Sequence, residues 1–84
     1  MSVYRANKLL HEVSRDRRLA ERLATDPDEV FREYELSAEE AEAIRNRRLR
    51  TLYKWGVNPY ILLKGALALG VSVQEYPQRM NQPE

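Results

Sequence analysis

The chain has 84 residues, with 14 Lys and Arg against 13 Asp and Glu, one His and no Cys. That length allows one small hydrophobic core. The missing Cys excludes disulfides and thiolate metal sites, and a single His leaves little from which to build a self-contained metal centre. The longest apolar run, Tyr60 to Val71, is interrupted by Lys64 and two Gly and falls short of the ~20 residues that span a bilayer. No signal-peptide pattern opens the chain, so a cytoplasmic protein without membrane contact is expected. Residues 1–42 carry 7 Lys and Arg against 11 Asp and Glu and the remainder 7 against 2, a charge asymmetry that orients a partner during encounter without naming it.

In chain order, apolar residues from Val3 through Leu9, Leu10, Val13 and Leu19 to Leu23 recur with helical spacing, which predicts one long first helix. Asp26-Pro27 then supplies an N-cap and a first-position proline, with Asp28 and Glu29 where the helix dipole favours acid, so a short helix over about 27–34 follows. Ser37-Ala38-Glu39-Glu40 fits a capping box. The helix it opens runs through Ile44 toward Asn46, and one or two further turns carry Leu49, Leu52, Tyr53 and Trp55 to a left-handed stop at Gly56. Asn58-Pro59 starts the next helix and Gly70 ends it. Ser72-Val73-Gln74-Glu75 repeats the capping box for a last helix to Met80, leaving a polar tail over 81–84. No segment shows period 2. The expectation is an all-α domain spanning 1–84, a compact orthogonal bundle of four to six helices, ordered over about 3–80.

Candidate sites each face a plainer reading. His11 is either a base or pH sensor or a solvated surface residue, and the latter is expected. Arg45, Arg47, Arg48 and Arg50 form a short basic cluster that suits phosphate. It lacks any accompanying nucleic-acid-binding pattern in a nearly neutral chain, so no nucleic-acid partner is expected. Glu39, Glu40 and Glu42 lie in a first helical turn, where the dipole accounts for them. Phosphate loops, nucleophile elbows and His-carboxylate pairs are absent, so no catalytic residue is assigned.

The segment 52–69 is different. Tyr60, Leu63 and Leu67 share one helical face while Leu62 and Leu69 share a neighbouring one. Two apolar faces need two neighbours: either both lie inside the monomer, or one is an aromatic-rich docking surface of the sort found at interface hot spots.

The residues Arg22, Asp26-Pro27, Tyr34 and Leu36-Ser37 with Glu40, then Leu52-Tyr53, Gly56-Val57-Asn58-Pro59-Tyr60 and Leu62-Leu63, then Gly70-Val71-Ser72 with Glu75-Tyr76, fall in an order that resembles the LigA-like family. These are the small alpha subunits of protocatechuate 4,5-dioxygenase-type extradiol ring-cleaving enzymes. The resemblance covers about residues 9 to 80. It implies a helical subunit that binds no cofactor itself and packs over the active site of a larger beta subunit, which holds Fe(II) with two His and a carboxylate. Tyr53, Trp55, Asn58, Pro59, Tyr60, Leu63 and Lys64 are then the expected partner interface and pocket lid. Larger members carry an insertion before the Gly70-Val71-Ser72 motif that this chain lacks, so direct contact with substrate is not implied. Similar helical domains also serve as recognition domains gripped by peptide-modifying enzymes. A free-standing homodimer is a third reading.

Overall fold

A computed structural model describes residues 3–83, so Glu84, the end of the expected polar tail, lies outside the described residues. Those residues fold into helices joined by short turns: α1 Tyr4–Val13, α2 Arg17–Thr25, α3 Pro27–Glu33, α4 Ala38–Arg45, α5 Leu49–Trp55, α6 Pro59–Ala68 and α7 Glu75–Met80. The all-α class holds, but seven helices replace the expected four to six: the long first helix is broken once, and the run past Asn46, whose continuity the sequence left open, is a separate helix.

The first break separates α1 from α2. Ser14 turns its hydroxyl back to the His11 carbonyl at 2.6 Å, and the Asp16 carboxylate accepts from the backbone amides of Arg18 and Leu19 at 2.9 and 3.2 Å. Both side chains offer the backbone an alternative to helical hydrogen bonds, so the helix stops and restarts although its apolar stripe continues. The second break lies at Asn46–Arg48, where Arg47 takes φ +51°.

One stop geometry recurs four times. The amide of Val57 donates to the Leu52 carbonyl, Val71 to Ala66, Leu36 to Phe31 and Arg48 to Ala43, each at 2.8–3.1 Å and each across a residue of positive φ. This is the Schellman closure of a helix carboxyl end. Gly56 and Gly70 occupy the left-handed position in two of them, at φ +106° and +93°, and Glu35 and Arg47 occupy it in the others at +56° and +51°. Helix starts follow the expected caps: Asp26 receives the Glu29 amide, Ser37 and Glu40 exchange both bonds of a capping box, and Asn58 Oδ1 accepts from Tyr60 and Ile61. Ser72 and Glu75 also exchange theirs, at 3.0 and 3.5 Å, but α7 starts later than that box predicts, at Glu75 after an N-cap Gln74 with no side-chain cap.

The core joins Leu9, Leu10 and Val13 of α1 with Ile44, Leu49, Leu52 and Leu62. At its centre α1 packs on α6. Gly65 permits the approach: a Cβ there would sit 2.9 Å from Leu10 Cδ2, 3.0 Å from Leu10 Cβ and 3.3 Å from the Leu10 carbonyl oxygen. The helical cost of glycine, about 1 kcal/mol relative to alanine, is thus offset by close backbone packing. Asn7 of α1 completes the joint, its Oδ1 accepting from the Asn58 amide at 3.0 Å. The entry of α6 is therefore fixed by a residue 51 positions away.

Candidate functional site

Helix α6 buries Leu62, Gly65 and Ala66 and turns Tyr60, Lys64 and Leu67 outward, with Leu63 half-buried between. Tyr60 is 67% exposed, the most exposed tyrosine of the described residues. The Lys64 ammonium lies over its ring, 5.6 Å from the centroid, and adds cation–π attraction to the face.

Where α6 begins, its outer face meets the end of α1. The two helices enclose a cleft of about 510 Å³ walled by His11, Ser14 and Arg15 on one side and Asn58, Tyr60, Ile61 and Lys64 on the other. The groove continues along α1 past Tyr4 and Asn7, still floored by Ile61. Arg15 Nη1 lies 3.4 Å from His11 Nε2. No carboxylate lines the cleft, and neither Arg15 nor Lys64 forms an ion pair with any described residue.

Three of the expected interface residues, Asn58, Tyr60 and Lys64, therefore share one cleft. Pro59 is exposed at the first position of α6, and Leu63 lies on the outer face one turn beyond Tyr60. Tyr53 is half-exposed on α5. Trp55 packs partly on the core and lines a different groove, with Glu39 and Glu42 of α4 and Arg48 and Thr51. Trp55 thus lies apart from the cleft that gathers Asn58, Tyr60 and Lys64. Sequence reasoning missed Ser14 and Arg15 as cleft residues, and set His11 aside as a surface residue, which it is, though inside the cleft. The available signal was Gly65, since a glycine in mid-helix marks close backbone approach of another element.

The arginine cluster is tied into the fold. Arg45 pairs with Asp28 and lies over the Phe31 ring, Arg48 pairs with Glu42 at 2.8 Å, and Arg50 reaches the Met80 carbonyl at 3.4 Å. Arg47 donates to the carbonyls of Arg45 at 2.6 Å and Leu69 at 3.0 Å, and burial followed by the neighbouring Arg79 charge pulls its pKa below the usual arginine value.

Among the described residues no three His, Asp or Glu side chains gather closely enough to hold a metal ion. His11 shares its cleft with Arg15 and Lys64, cations that disfavour a divalent metal, so the donor set does not fit an iron centre. No described helix is long and apolar enough to cross a membrane.

Fold and surface together define a small all-helical domain with an uncovered aromatic and cationic face on α6. The chain belongs to the LigA-subunit family of ring-opening dioxygenases: residues 6–82 match the family described as aromatic-ring-opening dioxygenase LigAB, LigA subunit. It is also similar to a gallate dioxygenase of Pseudomonas putida, 38% identical over 69 residues, which are 82% of this chain and 20% of the relative. The chain thus spans about a fifth of that relative's length. No solved structure matches.

Proposed function

We propose that this chain is a non-catalytic small subunit of an extradiol ring-opening dioxygenase. It docks on a larger catalytic subunit through the outer face of α6 and the segment leading into it, and it helps close that subunit's active site. The Fe(II) belongs to the larger subunit, and the Cys-free composition suits assembly in a reducing cytoplasm.

Membership of the LigA-subunit family carries the ring-opening assignment. The docking role is supported by Tyr60, which the fold positions rigidly through the Asn58 cap and the Asn7 bond yet leaves uncovered. An exposed aromatic residue on a fixed helix loses little side-chain entropy on association and buries a large apolar area, the combination found at interface hot spots. Leu63 and Leu67 extend the apolar surface along the same helix face. Closure of the active site by such a face would exclude water from the oxygen chemistry of the larger subunit.

The test is co-expression with a larger ring-opening subunit, affinity capture, and oxygen uptake with protocatechuate and gallate. A complex that consumes oxygen, and that weakens about 30-fold (~2 kcal/mol) in Tyr60→Ala while the isolated chain keeps its helicity, is the expected result. Assembly only with a peptide-modifying enzyme, or only with a second copy of itself, would overturn the proposal.

A further inference from the structure

The cleft between α1 and α6 has a chemistry that the apolar stripe does not share. Arg15 and Lys64 line it from the α1 and α6 sides, His11 of α1 lines it beside Arg15, and no carboxylate does. Arg22 pairs with Glu33 at 2.7 Å, Arg45 with Asp28 and Arg48 with Glu42 at 2.8 Å, whereas neither Arg15 nor Lys64 has an ion-pair partner among the described residues. The walls are also rigid, because Gly65 against Leu10 and Asn7 against Asn58 fix α1 on α6.

We infer that this cleft receives an acidic segment of the larger subunit, with one carboxylate side chain entering between Arg15 and Lys64. The inference rests on the docking role proposed above and specifies its chemistry. The occupant is argued from charge complementarity and continuity. The cleft opens beside Tyr60 on the same face, so a partner seated on the α6 stripe extends naturally into it. Arg15 offers a planar fork suited to a carboxylate, and Lys64 supplies a point charge held in place by the Tyr60 ring. Opposite charges in such a cleft speed encounter and fix register, and their contribution falls as salt rises.

The complex is formed from wild-type chain, Arg15→Gln/Lys64→Gln, and Arg17→Gln/Arg18→Gln as a control with exposed arginines outside the cleft. Affinity and association rate for the larger subunit are measured at 50 and 500 mM NaCl, with helicity checked by circular dichroism. The cleft variant is expected to bind tenfold or more weakly at low salt, with a flatter salt dependence, while the control stays within twofold of wild type. A cleft variant that binds like wild type overturns the inference and leaves the docking role intact. Failure of the wild-type chain to bind the larger subunit overturns both. If the cleft variant assembles normally but raises KM for gallate and not for unsubstituted catechol, the cleft takes a substrate carboxylate instead and the inference is also overturned.

Discussion

The arginine turn between α4 and α5 and the cleft between α1 and α6 are both cationic, yet they are opposite kinds of surface. In the turn, four arginines lie within six residues and each is bonded inside the molecule, to Asp28, to Glu42, or to the carbonyls of Arg45, Leu69 and Met80. In the cleft, Arg15 and Lys64 are 49 positions apart and neither has an acidic partner among the described residues. Charge density along a sequence is therefore a poor guide to charge available for binding. The run at 45–50 is absorbed by Asp28, Glu42 and backbone carbonyls, whereas Arg15 and Lys64, brought to one cleft by packing, are left without an acidic partner.

The comparison breaks most directly at the helix pair that builds the cleft. Gly65→Ala places a methyl group against Leu10 Cβ and its carbonyl, which cannot swing aside, so a loss of about 1–3 kcal/mol is expected in urea denaturation despite alanine's better helix propensity. An unchanged midpoint would show that α1 and α6 are not held by this contact.

The next effect separates structural from unpartnered arginines. Arg47→Ala removes the hydrogen bond to Leu69 while keeping a left-handed backbone at a Cβ-bearing residue, and a loss of about 1 kcal/mol or more is expected. Arg15→Ala and Lys64→Ala should remain within about 0.5 kcal/mol of wild type, since both side chains are exposed. Equal costs for the three would erase the distinction.

Glu35 sharpens the same point with the opposite sign. Its strained φ is retained although its side chain makes only an exposed 3.9 Å contact with Arg5, so Glu35→Gly should stabilise the protein by up to about 1 kcal/mol. Loss of stability would mean that the carboxylate matters more than the strain.

The smallest expected effect concerns Tyr34, whose hydroxyl donates to Glu12 across the α1–α3 junction. Burial, followed by that hydrogen bond to a carboxylate, pushes its pKa up to about 12 from the usual 10. The fold thus favours the neutral phenol: its contribution is complete below pH 10 and is lost as pH rises toward 12. Tyr34→Phe should show a shallower decline of stability across that window than wild type, and identical slopes would remove Tyr34 as a cause.

Much of the helix grammar was legible because each device is local. Asp26-Pro27, the Ser37 capping box, Asn58-Pro59, Gly56 and Gly70 all act within about five residues, and each appears where its residue types indicate. The first break was hidden and the second left open, for different reasons. Ser14 and Asp16 interrupt α1 beneath an uninterrupted apolar pattern, and Arg47 stops α4 in a conformation normally signalled by glycine. On the functional side, Tyr60 could be singled out because it sits on a helix with more apolar faces than its own turn can cover, whereas Lys64 entered only through the family resemblance.

What sequence alone determined, then, is where most helices start and end and that α6 carries two apolar faces, since caps, prolines and periodicity act through neighbouring residues. Tertiary structure alone decided which of those faces is buried and what stands beside the other. Leu10 meets Gly65, Asn7 meets Asn58 and Arg15 comes to face Lys64 across roughly fifty residues of chain. Contacts at that separation depend on how the whole core closes, and no local propensity encodes them.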